Sequence, residues 1–139
     1  MDVIVLIGRI LFVFLFLTAG YTHFAKRKMM AGYAASRGVP ASMAATLAGG
    51  VLLLAGALSI LLGVWADLGA LLLVIFLLPT AVLMHGFWKE TDPQTRMNET
   101  TQFSKDLALG GAALMLFAFF SFAGDDLGLT ITGPLFNIR

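Results

Sequence analysis

Two histidines, His23 and His85, and three charges set in or beside apolar sequence, Arg9, Asp67 and Asp106, are the residues whose types and spacing could do chemistry. Each histidine stands where a greasy run stops. GRILFVFLFLTAGYTHF ends on His23 and Phe24, and PTAVLMHGFWKE passes through His85 to Phe87 and Trp88 before any charge arrives. A neutral imidazole both donates and accepts a hydrogen bond and titrates near neutral pH, so this placement suits a polar headgroup site or proton transfer. The plain structural alternative makes both histidines interfacial polar groups beside an aromatic belt of Phe87 and Trp88. Haem held by both histidines, with Lys26, Arg27 or Arg37 on the propionates, is a further option, and it ranks below a quinone site because no other haem signature accompanies it. Cys is absent, which excludes disulfides, thiolate metal sites and cysteine-ligated iron–sulfur clusters. No metal site and no certain cofactor is expected.

Helical geometry groups these residues. At 100° per residue Arg9 and His23 differ by only ~40°, so Arg9, Val13, Phe16, Gly20 and His23 share one stripe. Asp67 and His85 are five whole turns apart and also point the same way. If the two stripes meet, Arg9 approaches Asp67 at one end and His23 approaches His85 at the other. A charge two turns inside an apolar run is costly toward lipid, so Arg9 is expected to face the other helices and to find a polar partner, Asp67 first or the chain's tail. At the other end the expectation is one polar pocket shared by His23, His85 and Asp106, roofed by Phe87 and Trp88 and bordered by Lys26 and Arg27. Such a pocket could hold a quinone headgroup while its tail stays in lipid.

Composition says which elements must position these side chains. Of 139 residues 59% are hydrophobic and only 12% charged, far outside the soluble norm, so this is a membrane protein in a lipid bilayer. A net charge of +1 gives no case for nucleic acid. Val3–Thr22, Gly38–Ala66, Leu68–Met84 and Leu107–Gly124 are apolar stretches near the ~20 residues that cross a bilayer, and in lipid they must be helices. A cleaved leader is a weak reading of the first stretch, since Asp2 rather than a basic cluster precedes the run and Arg9 interrupts it. The fold class is therefore all-α, an integral membrane four-helix bundle. It forms one transmembrane domain over residues 1–139, with spans near 3–25, 41–63, 67–87 and 105–124, a surface loop over 88–104 and a tail over 125–139. Pro79 is expected to kink the third span near His85.

Charge sets the orientation. Alternating spans put Lys26, Arg27, Lys28, Arg37, Lys89, Arg96 and Lys105 on one face, seven of the nine basic residues, and leave Arg9 and Arg139 with the other. The positive-inside rule then places both termini outside and both histidines at the cytoplasmic rim. Small residues along the second span, Ala45, Gly49, Gly56 and Ser59, and at the start of the fourth, Ala108, Gly110, Gly111 and Ala112, suit close helix packing, within the bundle or in a homo-oligomer.

Four segments together, GRILFVFLFLTAGYTHF, RGVP, HGFWKETDP and QFSKDLALGGAALML, resemble the DoxX family of small four-helix membrane proteins of bacteria and archaea, and the resemblance covers nearly the whole chain. It implies a bundle in the plasma (inner) membrane of a prokaryote. Some members are linked to thiosulfate:quinone oxidoreductase or quinol oxidase complexes, and in mycobacteria to a membrane assembly for oxidative-stress defence. Motif positions carried over are Arg9, His23, His85 and Trp88; the family often has Asn where this chain has Asp106.

Two function classes follow. One is the membrane subunit of a quinone-linked or oxidative-stress redox complex, with a soluble redox protein docked on the basic cytoplasmic loops, and at most one part of an oxidoreductase. The other is a non-catalytic assembly, scaffold or transport-like bundle in which the histidines are surface anchors.

Overall fold

The computed structural model describes residues 1–138. The order is α1 (Asp2–Ala25), α2 (Arg27–Ser36), α3 (Ser42–Leu62), α4 (Ala66–Met84), a 3-10 turn at Phe87–Lys89, α5 (Pro93–Ala123) and a second 3-10 turn at Gly124–Asp126. No strand occurs among the described residues. Helices α1, α3, α4 and α5 are long and apolar enough to cross a membrane. α1 packs on α3, α3 on α4 and α4 on α5, while short α2 lies on α3.

The 3.6-residue period decides which side of α1 turns inward. Its buried residues are Arg9, Val13, Phe16 and Gly20, the stripe expected from spacing. Ile4, Ile7, Leu11 and Phe14 on the other side are exposed, as lipid-facing residues should be. Val13 and Phe16 join Leu53, Ala57 and Ile60 of α3, Leu73 and Leu77 of α4, and Ala113 and Phe120 of α5 in one core.

Glycine brings α3 and α4 together. A Cβ on Gly69 would collide with the Ser59 hydroxyl and lie 2.8 Å from the Gly56 carbonyl oxygen, so the backbones touch where Gly56 crosses Gly69. The turn that follows α3 depends on Gly63, whose φ of 65° is left-handed. Its N–H donates to the Ile60 carbonyl and the Val64 N–H to that of Ser59, closing the last turn.

Two segments depart from the sequence reading. KRKMMAGYAASR is not merely a connection, since ten of its residues form α2. Residues 93–104, expected within a surface loop, are the first three turns of α5. Asp92 caps them by accepting from the Thr95 N–H at 2.9 Å, and Pro93 occupies the first turn, where its missing N–H costs nothing. At 31 residues α5 is about 46 Å long, more than a ~30 Å hydrocarbon core requires, so its polar start projects beyond the apolar slab.

The tail crosses the end of the bundle opposite the histidines. The Ile131 and Thr132 N–H groups donate to the Gly63 carbonyl, and the Ile138 N–H donates to that of Ser121. Arg139, assigned to this end by the sequence, lies outside the described residues.

Candidate functional site

Arg9 and Asp67 are both buried at the tail end, yet they are not partners. The Arg9 guanidinium donates to the Ile60 carbonyl at 2.7 Å, the Leu61 carbonyl at 2.5 Å and the Leu129 carbonyl at 2.8 Å. It therefore caps the carbonyl end of α3 and ties the tail to it, placing a cation where the helix dipole is negative. Asp67, in the first turn of α4, accepts from the Leu135 N–H at 3.0 Å and the Phe136 N–H at 2.7 Å. The expected Arg9–Asp67 contact is thus replaced by two backbone clamps, and only the expectation of a tail contact for Arg9 holds. Neither charge needs the other, because each is satisfied by hydrogen bonds to peptide groups.

The histidine end is built differently. α4 stops at Met84, and His85 is its capping residue, with φ −115° and ψ 35°. The chain turns at buried Gly86, so the imidazole swings toward α5. There His85 Nδ1 lies 2.7 Å from Glu99 Oε2, and its Nε2 lies 3.7 Å from Asp106 Oδ2. Glu99 and Asp106 are two turns apart on α5, which puts both carboxylates on one face. The second Glu99 oxygen accepts from the Tyr33 hydroxyl of α2 at 3.2 Å. Four residues later, at the cap that ends α2, Arg37 pairs with Glu90, which precedes α5. Burial first and the Glu99 charge second push the Tyr33 phenol above its ordinary pKa. The hydrogen bond to Glu90 does the same for the Arg37 guanidinium.

His23 reaches the same space from α1. Its Nδ1 is 2.9 Å from the Ala19 carbonyl oxygen, and its ring meets Phe76 of α4 edge-on at 5.6 Å. Gly49 opposite is required, since a Cβ there would lie 2.9 Å from the Phe76 ring and 3.5 Å from His23 Nε2.

Between these groups lies a cavity of about 480 Å³, lined by both histidines and Asp106. Leu52, Leu53, Phe76 and Leu109 supply apolar walls, and Thr46, Thr80, Lys105 and Tyr33 add polar groups. The size falls within the ~300–1,000 Å³ usual for small-molecule sites, and apolar walls with a few convergent polar groups are what such sites present.

Of the residues expected at this pocket, His23, His85 and Asp106 are brought together. Phe87 and Trp88 do not line it; they meet each other edge-on at 5.3 Å and Phe103 edge-on at 5.4 and 5.7 Å, forming an aromatic cluster beside the rim. Lys26 and Arg27 do not border it either, and Lys105 contributes the cation. Their place is outside because α2 turns away after Lys26 and presents Met30, Tyr33 and Ala34 inward. Glu99 and Tyr33 were missed from sequence. The signal for Glu99 was its two-turn spacing from Asp106, usable only once residues 93–104 are read as helix.

The DoxX family model matches residues 4–86, a stretch that holds Arg9, His23, Asp67 and His85 and ends before Glu99 and Asp106. The chain is also similar to the inner membrane protein YphA of Escherichia coli (strain K12), with 32% identity over 114 residues that cover 82% of this chain and 81% of that protein. No solved structure matches the chain. With a family match over more than half its length and a curated relative across most of it, the chain belongs to the DoxX family.

Proposed function

We propose that this DoxX-family chain binds a membrane quinone in the cavity between His23 and His85, as the membrane subunit of a redox complex. The observation that supports it is the meeting of both histidines and Asp106 on one largely apolar cavity at the end of membrane-crossing helices. A quinone has the matching shape, a polar ring for the imidazoles and carboxyl group and an apolar tail for the leucine and phenylalanine walls. Interconversion of quinone and quinol moves two electrons and two protons. Histidine and carboxyl groups at the rim can exchange the protons. The electrons belong to a soluble electron-carrying partner, for which the basic cluster Lys26, Arg27 and Lys28 where α1 passes into α2 offers a docking face at the cytoplasmic side. In this orientation a reporter fused behind the tail is external.

The test is titration of the purified protein in lipid nanodiscs with a short-tailed quinone. His23→Ala and His85→Ala are each expected to weaken binding about tenfold, the worth of one good hydrogen bond, with helix content unchanged. Equal affinity in both variants would return the histidines to a structural role and favour the scaffold reading.

A further inference from the structure

His85 has two ring nitrogens in different chemical surroundings. Nδ1 faces Glu99 Oε2 at 2.7 Å, and Nε2 is turned toward Asp106 Oδ2 at 3.7 Å, a residue that lines the cavity with His85. A carboxylate only accepts, so Nδ1 carries a hydrogen whether the ring is neutral or charged. The atom that gains or loses a proton is then Nε2, on the cavity side. Glu99 is itself held, because the Tyr33 hydroxyl donates to its other oxygen. His85, Glu99 and Tyr33 come from the end of α4, the projecting turns of α5 and the short helix α2, so three elements set one imidazole.

We propose that Glu99 is the positioning residue of this site: by fixing Nδ1–H it makes His85 Nε2 the proton-exchanging atom presented to the cavity, with Tyr33 holding Glu99 in register. The other ionisable groups facing the cavity are Tyr33 from α2, Asp106 and Lys105 from α5 and His23 from α1. None of them is placed at His85 Nδ1, so the tautomer depends on Glu99. The geometry parallels other imidazoles that a carboxylate orients through one nitrogen so that the second can act. For ligand affinity the inference rests on the quinone reading, but its primary readout needs no ligand.

The experiment is nitrogen-15 NMR of histidine side chains in the His23→Gln protein, in which His85 is the sole imidazole. With Glu99 present, the neutral ring is expected to be the Nδ1–H tautomer. Glu99→Ala should shift it to a mixture containing Nε2–H, whereas Glu99→Gln, whose amide oxygen still accepts, should retain Nδ1–H. Circular dichroism on each variant confirms that the helices persist. An unchanged tautomer in Glu99→Ala overturns the inference, as does a Glu99→Gln protein that behaves like Glu99→Ala. Short-tailed quinone titrated into proteins with native His23 then separates the two ideas. Glu99→Ala should weaken binding about tenfold and Glu99→Gln less than about threefold. A native protein that binds no quinone sinks the functional reading while the tautomer result decides the role of Glu99.

Discussion

Arg9 and Asp67 hold the same tail segment from opposite chemical sides. Arg9 donates to the Leu129 carbonyl, and Asp67 accepts from the Leu135 and Phe136 N–H groups. They are 3% and 0% exposed, so each is a buried charge compensated by peptide dipoles rather than by a counter-ion. Truncating either leaves backbone groups unpaired. Arg9→Ala is expected to cost about 3 kcal/mol, since it strips two carbonyls of α3 and one of the tail of a charged donor. Arg9→Lys should fall between, because an ammonium lacks the planar fork that reaches all three. Thermal unfolding in detergent measures the loss, and limited proteolysis should cut between Leu127 and Phe136 faster in both variants. Native proteolysis rates in Arg9→Ala would show that the clamp does not hold the tail.

The α3–α4 crossing makes a second test. Gly69→Ala would press a methyl group into the Ser59 hydroxyl and the Gly56 carbonyl, and is expected to destabilise by about 1–3 kcal/mol. Gly111→Ala on α5 meets nothing within 4 Å and should be neutral or slightly stabilising. The two midpoints should therefore separate, and equal values would argue against close packing at Gly69.

Tyr33 links α2 to the site and titrates late. Its phenol is raised above 10.0 by burial and then by Glu99. A raised acid favours the protonated folded form, so its contribution is complete below pH 10 and is lost as pH climbs through the folded-state value. Ultraviolet titration of phenolate absorbance should show a late phase that Tyr33→Phe removes. An unchanged titration in Tyr33→Phe would assign that phase elsewhere.

Asp92 shows where the sequence could be read two ways. Asp–Pro marks a turn, and the same pair marks a helix start, with the carboxylate capping and the proline at the first position. Choosing between them requires periodicity, and QTRMNETTQFSKD has no apolar stripe because its turns lie outside the hydrocarbon. Asp92 accepts the Thr95 N–H first and the Thr95 hydroxyl second, which holds its carboxyl below the ordinary range. Asp92→Ala should therefore speed amide exchange over residues 94–97 at neutral pH, and the wild-type protection there, taken relative to intrinsic exchange at each pH, should fall as acid protonates the cap. Unaltered exchange in the variant would dismiss the cap.

The inward stripe of α1 was legible for the opposite reason. One polar residue in an apolar helix must turn from lipid, so Arg9 and the 3.6 period fix the face together. What Arg9 binds was not legible, because helix ends offer carbonyls throughout the bundle and the tail's path is set by tertiary packing. The meeting of His23 with His85 followed from topology and helix phase. The aromatic roof failed because α4 ends at Met84 and the chain turns at His85 and Gly86, which sends Phe87 and Trp88 outward to Phe103.

Photoaffinity labelling in nanodiscs with a quinone bearing an azide on its ring, followed by peptide mapping, locates where a quinone headgroup sits on the chain. Labels are expected on residues lining the histidine cavity, such as Thr46, Thr80 and Leu109, and should be lost when unmodified quinone competes. A second space of about 460 Å³ opens between α1 and α5 beside Arg9, walled by Phe12, Met115 and Phe119. Labels confined to that groove, or labels that excess quinone does not displace, would mean that the histidine cavity is not a quinone site.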